Sequence, residues 1–88
     1  MTRENEQKLR NIIKNICRLE VEETYIENKL EEAHCNLMEE LGFDSLLIVE
    51  LIVEIEEVLG FDFDMNSLDI NTLKFYDGLI ETIKKYIG

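Results

Sequence analysis

Ser45 is the residue of this sequence whose surroundings point most directly to chemistry. It follows Asp44 and precedes a long apolar run, in the stretch LGFDSLLIVELIVEIEE that begins at Leu41. A serine that attacks a substrate usually has a general base within reach, and none stands beside Ser45. Ser45 would instead open a helix, where unpaired N–H groups and the positive end of the helix dipole favour a phosphate. The alternative is that Asp44 or Ser45 only caps the helix, which would contribute about 1 kcal/mol to stability.

The remaining polar candidates do not form a catalytic set. His34 is the single histidine, and because it stands next to Cys35 we interpret it as a solvated loop residue. No G-x-S-x-G motif surrounds Ser45, and no glycine-rich loop could hold a phosphate. Cys17 and Cys35 have neither zinc-ligand spacing nor a disulfide framework, which predicts two reduced thiols. These observations predict a protein that is not an enzyme.

One segment imitates a calcium-binding loop. Asp62, Asp64 and Asn66 occupy positions 1, 3 and 5 of such a loop. Position 6 should be a glycine and is Ser67, and position 12 should be a bidentate glutamate and is Leu73. We therefore predict no metal site and disfavour a calcium-binding module. The segment is interpreted as a polar loop with two buried side chains, Phe63 and Leu68.

Three amphipathic helices are predicted to position these groups. The first covers residues 2–19, with Thr2 as its cap and apolar residues at i, i+3, i+4 and i+7. The second runs from Ser45 to Leu59 and ends at Gly60, a residue type that is common just after a helix. The third carries apolar residues at helical spacing between Tyr76 and Ile87.

The segments between these helices are less regular. Residues 20–43 predict a long loop that holds a short helix, and residues 61–75 predict an irregular stretch with one helical turn near 65–68. No segment shows the alternation of a β-strand. The sequence thus predicts an all-α fold, a small four-helix bundle with three main helices and one short helix, as a single domain over residues 1–88.

The second predicted helix has two different faces. Its core face is predicted to consist of Ile48, Leu51, Ile52, Ile55, Val58 and Leu59. On the other side three aliphatic residues alternate with acids: Leu46, Val49 and Val53 with Glu50, Glu54, Glu56 and Glu57. Apolar side chains surrounded by carboxylates suggest a docking surface for another protein. The alternative is that these are isolated exposed aliphatics without a function.

Charge restricts the classes of partner. Twenty acidic residues against nine basic ones give a net charge of −11. Such a surface repels nucleic acid and anionic membranes and favours a partner with a basic patch. The polar N-terminus is unlike a signal peptide, and no apolar run has the length of a membrane span. We therefore expect a cytoplasmic protein without nucleic-acid or membrane partners.

The stretch LGFDSL, followed by a helix that ends in EIEE, resembles the phosphopantetheine-attachment motif of acyl carrier proteins. The order of the predicted helices along most of the chain is also similar to that family. The resemblance implies that Ser45 carries 4'-phosphopantetheine, which a separate transferase attaches from coenzyme A. The thiol of this arm would carry acyl groups as thioesters. Ser45 would then need no base of its own, because the transferase supplies the chemistry.

The same resemblance implies how partners are recognised. Asp44 would help the phosphopantetheinyl transferase to engage. Acyl-loading and acyl-processing enzymes with basic patches would dock on Leu46, Val49, Glu50, Val53, Glu56 and Glu57. Leu47 occupies a position that is often acidic in fatty-acid carriers, which implies a more apolar contact with partners.

The implied function is that of a monomeric acyl carrier in fatty acid biosynthesis or in a specialised, polyketide-like pathway. Two alternatives stay open at this point. One is a carrier of aminoacyl or peptidyl groups, although an aspartate before the serine resembles the acyl type more closely. The other is an acidic helical interaction module that carries nothing, in which Ser45 only caps its helix.

Overall fold

The computed structural model describes residues 2–32 and 34–87, and within these ranges it contains helices and no strand. The described helices are α1 (Arg3–Ile16), α2 (Glu23–Glu31), α3 (Leu37–Leu41), α4 (Ser45–Leu59), α5 (Ile70–Leu73) and α6 (Tyr76–Ile87), with one 3₁₀ turn at Met65–Ser67. The predicted all-α bundle is confirmed. In the described part of the chain, no helix is both long and apolar enough to cross a membrane.

Helix α1 begins as the sequence predicts and ends earlier. Thr2 caps it, because its Oγ1 accepts a hydrogen bond from the backbone N–H of Asn5 at 3.1 Å. The helix stops at Ile16, three residues before the predicted end. Cys17 leaves the helical conformation with φ −58° and ψ 127°. The chain then forms a linker, residues 17–22, that leads to α2.

The segment predicted as a long loop with one short helix contains two helices instead, α2 and α3. Helix α2 has nine residues and buries Ile26 and Leu30, one turn apart, against the core. Its other anchor is Arg10 of α1. The Arg10 guanidinium contacts carboxylate oxygens of Glu27 at 3.2 Å and of Glu31 at 2.8 Å. These partners lie about twenty residues away in the sequence, so local periodicity alone did not reveal the helix.

The core is apolar, and α4 provides its centre. Leu51 and Ile55 are fully buried, and Ile48 and Ile52 nearly so, as predicted. Two predictions on this helix are wrong. Val58, assigned to the core face, is 43% exposed, and Leu47, expected at the partner surface, is buried. In the loop after α4 Phe63 is buried as predicted, whereas Leu68 is only half-buried.

The start of α3 is joined to the start of α6 by backbone hydrogen bonds. The N–H of Leu37 donates to the carbonyl of Lys74 at 2.7 Å, and the N–H of Tyr76 donates to that of Cys35 at 2.8 Å. Cys35 is buried, and burial raises the pKa of its thiol to about 11. This cysteine is therefore protonated at neutral pH and inert as a nucleophile.

His34 lies at the edge of this junction. As predicted for a loop residue it is exposed, but it is also ordered by contacts: its ring stacks on Phe75 with centroids 4.0 Å apart. Its Nδ1 lies 3.0 Å from a carboxylate oxygen of Asp77. The backbone of His34 has a φ of +59°, in the left-handed region.

The segment that imitates a calcium loop is a capped turn. The side chain of Asp64 accepts a hydrogen bond from the N–H of Asn66 at 3.1 Å and so caps the 3₁₀ turn. Across residues 2–32 and 34–87, no three His, Cys, Asp or Glu side chains cluster in a way that could hold a metal ion.

Candidate functional site

Ser45 is the first residue of α4, and its side chain is exposed. The preceding Asp44 caps the helix, because its Oδ1 accepts a hydrogen bond from the N–H of Leu47 at 2.8 Å. The carbonyl of Asp44 accepts a hydrogen bond from the N–H of Ile48 at 3.0 Å. The cap thus uses the third and fourth N–H groups of the helix. The first two, those of Ser45 and Leu46, have no acceptor within the described part of the chain and point out of the helix end.

Two buried residues fix the direction of the Ser45 side chain. Phe43 and Leu47, two positions before and after the serine, both insert into the core. The N–H of Phe43 also donates to the carbonyl of Leu37 at 3.1 Å, which closes the end of α3. Residues 44–46 between these anchors are exposed. The serine is therefore held at the surface by its neighbours in sequence.

The turn before this segment depends on Gly42. This residue ends α3 with a φ of +71°, a conformation that side-chain-bearing residues rarely adopt. Leu19, from the linker after α1, packs over it: a Cβ at position 42 would lie 3.3 Å from Leu19 Cδ2. The turn that leads to Ser45 thus needs a left-handed backbone at Gly42 and is covered by the side chain of Leu19.

The Ser45 hydroxyl is accessible, and the described structure places no base beside it. Over residues 2–32 and 34–87 no side chain hydrogen-bonds to the Ser45 hydroxyl, so nothing in the described structure activates it as a nucleophile. An anion attached to this oxygen would lie at the N-terminus of a fifteen-residue helix, beside two unpaired N–H groups. The residues present therefore fit a phosphate ester at Ser45.

Most of the predicted docking residues lie on one surface, the outer side of α4. Leu46, Val49 and Val53 are 66%, 46% and 44% exposed, and they lie on the outer side of α4. Asp44 is exposed at the N-terminus of this surface and Glu57 near its C-terminus. The buried Leu47 does not belong to this surface, because its position in the helix points it toward the core.

Two of the predicted docking acids already have contacts within the chain. Glu56 is half-buried, and its Oε2 accepts a hydrogen bond from the backbone N–H of Phe63 at 2.8 Å. The Oε2 atom of Glu50 lies 3.9 Å from a guanidinium nitrogen of Arg18, and both side chains are exposed. Glu56 therefore holds the loop after α4, whereas the weak pair at Glu50 leaves that carboxylate accessible.

A groove between α1 and α4 extends the surface. It has a volume of about 660 Å³. Residues from α1 form one wall (Lys8, Asn11, Ile12, Asn15 and Ile16) and residues from α4 the other (Val49, Glu50, Val53, Glu54 and Val58). The sequence assigned α1 to packing alone and therefore missed this wall. The sequence pattern that could have indicated this wall is the pair Asn11 and Asn15, which are four residues apart and lie beside the apolar stripe of α1.

Comparisons with known proteins give matches over most of the chain. A family model described as "Phosphopantetheine attachment site" matches residues 7–74. The chain is 35% identical over 77 residues to an acyl carrier protein of Coprothermobacter proteolyticus, covering 86% of this chain and 85% of the relative. It is 36% identical over 73 residues to an acyl carrier protein of Desulforapulum autotrophicum, covering 83% and 90%. No solved structure matches the chain significantly.

Proposed function

This chain belongs to the acyl carrier protein family, and from that membership we propose that Ser45 is the residue that bears the prosthetic group. The family implies a covalently attached 4'-phosphopantetheine, which when bound supplies a thiol that carries acyl groups as thioesters. Ser45 lies inside the matched range 7–74. The observation that carries the assignment is the exposed hydroxyl of Ser45 at the start of α4, between buried Phe43 and Leu47.

The chain's own residues present the hydroxyl and hold the ester. Asp44 fixes the first turn of α4 through its 2.8 Å hydrogen bond to the Leu47 N–H. The N–H groups of Ser45 and Leu46 and the helix dipole favour the negative charge of a phosphodiester. Deprotonation of the hydroxyl is left to the transferase, because no base is hydrogen-bonded to Ser45 in the described structure.

We propose that partner enzymes dock on the outer surface of α4. Leu46, Val49 and Val53 supply the apolar anchors, and Asp44, Glu50 and Glu57 attract a basic patch. Glu56 contributes mainly by holding the loop that begins at Gly60, through its hydrogen bond to Phe63. The partners are a phosphopantetheinyl transferase and the enzymes that load and process the acyl group.

The cargo that best fits the sequence is an acyl intermediate of fatty acid or polyketide-like biosynthesis. Asp44 before the serine supports an acyl carrier over an aminoacyl or peptidyl carrier. Residues 1–88 are proposed to act as one monomeric carrier domain, because the exposed apolar side chains Leu46, Val49 and Val53 form only a small area beside the carboxylates of α4.

Intact-mass measurement tests the attachment directly. The purified protein is incubated with coenzyme A and a promiscuous phosphopantetheinyl transferase, and we expect a mass gain of one phosphopantetheine. The chain has two serines, so Ser67 provides a matched control. The gain should be absent in Ser45→Ala and unchanged in Ser67→Ala, which also removes an exposed serine. No gain would refute the assignment and leave an acidic interaction module, whereas a gain that persists in Ser45→Ala would refute the assignment by showing attachment at another residue.

A further inference from the structure

We propose that the segment from Leu19 to Tyr25 forms a second docking surface, the linker surface, and that its occupant is the phosphopantetheinyl transferase. The segment reads LEVEETY and joins the linker after α1 to the first turn of α2. Its apolar side chains, Leu19, Val21 and Tyr25, are each about two-fifths exposed. This inference rests on the proposed attachment at Ser45 and goes beyond it, because it assigns a role to a segment outside α4.

Leu19 places the linker surface beside the attachment turn. Its side chain packs over Gly42, so that a Cβ at position 42 would lie 3.3 Å from Leu19 Cδ2. Gly42 precedes Ser45 by three residues, a separation of at most about 11 Å. Arg18 contacts Glu50 at 3.9 Å, which joins the linker to the outer surface of α4. The linker surface therefore borders the attachment turn and continues the surface of α4.

This position favours the transferase as the occupant, because the transferase must touch the Ser45 oxygen itself. Enzymes that act on the thiol of the arm can stay roughly 15 Å away, the length of about four to five extended residues. A protein interface of ordinary size covers about 800 Å² on each partner, which is a disc with a radius of about 16 Å. A disc of that size centred on Ser45 includes Leu19.

The composition of the linker surface indicates the complementary surface on the transferase. Three exposed carboxylates stand between the apolar side chains, those of Glu20, Glu22 and Glu23. Within the described part of the chain no ion pair neutralises them, whereas the neighbouring Arg18 is paired with Glu50. Exposed carboxylates among apolar side chains favour a partner surface of apolar residues surrounded by lysine or arginine. The outer surface of α4 has the same composition, so one basic surface of the transferase suits both.

The linker surface is held in place at both ends. Leu19 is fixed by its packing on Gly42. At the other end Ile26, the neighbour of Tyr25, inserts into the core, and Lys29 Nζ lies 5.6 Å from the centre of the Tyr25 ring. A surface that is already ordered loses less conformational entropy on binding than a flexible one. The segment is therefore suited to contact a partner without refolding.

Steady-state kinetics of a promiscuous transferase on the unloaded protein test this inference. Leu19→Asn and Val21→Asn each replace an apolar side chain with a polar one and leave the net charge unchanged. We expect the KM for the carrier to rise roughly fivefold for Leu19→Asn and at least about twofold for Val21→Asn, with kcat within about twofold of the parent value. Calorimetric binding of the unloaded protein to the transferase, without coenzyme A, should weaken by similar factors.

Val58→Asn is the matched control. Val58 is 43% exposed and Val21 is 40% exposed, but Val58 lies thirteen residues beyond Ser45 (58 − 45), about 20 Å along the axis of α4. Its KM should equal that of the parent protein. Urea unfolding of each variant identifies any loss of stability, and Val21→Asn keeps the test valid if Leu19→Asn loosens the turn at Gly42.

The outcomes separate this inference from the proposed function. No loading of the parent protein at Ser45 would overturn both. Loading at Ser45 with an unchanged KM and unchanged affinity in Leu19→Asn and Val21→Asn would overturn the linker surface and leave the attachment intact. An equal rise of KM in these two variants and in Val58→Asn would also overturn it, as would a fall in kcat alone, which would mean that Leu19 only shapes the turn.

Discussion

At the scale of single residues, the exposure of Ser45 is a consequence of side chains two positions away. Phe43 and Leu47 are both buried, so the three residues between them face solvent and present the serine. This explains the apolar identity of Leu47. An acid at this position would have to leave the core or lose its hydration there, at a cost of several kcal/mol. The attachment turn therefore depends on its buried neighbours as much as on its exposed ones.

Gly42 should be the most sensitive position of this turn. We expect Gly42→Ala to lower the free energy of unfolding by about 2 kcal/mol, since alanine in the left-handed region costs about 1 kcal/mol and the new Cβ also displaces Leu19. Gly60→Ala is the matched control, because Gly60 has a φ of +75° with nothing within 4 Å of a Cβ. Urea unfolding should show a smaller loss for Gly60→Ala. Equal losses would mean that Leu19 moves away at no cost.

The His34–Asp77 contact predicts a specific pH dependence. The hydrogen bond from His34, followed by that from the Gly78 N–H, holds the pKa of Asp77 below its ordinary value near 3.8. The ionised carboxylate thus stabilises the native state above that value, and this stabilisation is lost as the pH falls through the native pKa.

Urea midpoints measured between about pH 5 and pH 2.5 should therefore fall less for Asp77→Asn than for the parent protein. Glu81→Gln on the same helix is the control, because Glu81 is exposed and its carboxylate contacts only Lys84, at 3.5 Å, among the described residues. If Asp77→Asn and Glu81→Gln changed the acid response equally, the contact with His34 would have no thermodynamic effect.

At the scale of helices, the sequence predicts an element well when the residues that determine it lie within the element itself. The bounds of α4 were predicted correctly because Asp44 and Gly60 mark its ends within the segment itself. One short helix was predicted in residues 20–43 and the structure has two, because α2 is also held by ion pairs with Arg10 on another helix, which local periodicity does not show. Val58 was assigned to the core from its angle on α4, but α1 leaves that end of the groove open. Ser45 was identified because its motif is contiguous, whereas the groove requires two segments.

Arg10 should decide whether α2 stays on the bundle. It contacts Glu6 and Tyr76 in addition to the two acids of α2, and its side chain is only 13% exposed. We expect Arg10→Met to lower the free energy of unfolding by about 1–2 kcal/mol, because the buried Tyr76 phenol and the half-buried Glu6 each lose a donor, whereas Glu27 keeps its contact with Lys14. Arg10→Lys should lose about half as much, since an ammonium group cannot contact all of these acceptors.

Hydrogen exchange separates this effect from a general loss of stability. In Arg10→Lys the amides of α2 should exchange faster, while those of α4 should change little. Uniform acceleration over both helices would show that the contacts of Arg10 stabilise the whole bundle and do not hold α2 specifically.

Glu56 and Glu57 are adjacent acids with different expected effects. Glu56→Ala should lower stability by about 1 kcal/mol, because it removes the acceptor of the Phe63 N–H. Glu57→Ala should leave stability within about 0.5 kcal/mol of the parent protein, as is usual for an exposed position. Conversely, Glu57→Ala should weaken docking of a basic partner. Thermal unfolding measures the effect on stability, and titration of a carrier-dependent enzyme measures the effect on docking. If Glu56→Ala were as stable as the parent protein, the hydrogen bond to Phe63 would be dispensable.

At the scale of the whole molecule, the net charge of −11 is concentrated in a small volume. The principal extents are 32, 26 and 23 Å. At an ionic strength of about 0.01 M the Debye length is about 30 Å, so charges across the entire domain repel one another. The same field that attracts basic partners therefore destabilises the compact state.

Added salt should consequently stabilise this protein while it weakens docking. Raising the ionic strength to about 1 M shortens the Debye length to about 3 Å, and relief of repulsion worth about 1 kcal/mol would raise Tm by roughly 5 °C. Salt should weaken the ion pairs of Arg10 less than it weakens exposed ion pairs, since the Arg10 side chain is largely buried. The double variant Glu20→Lys/Glu57→Lys has a net charge of −7 in place of −11, because each substitution adds two positive units. Its Tm should therefore rise less with added salt. A Tm that falls with salt in both proteins would mean that attractive ion pairs outweigh the net repulsion. Since repulsion extends over the domain and attraction acts mainly through a few close pairs, we expect repulsion to dominate.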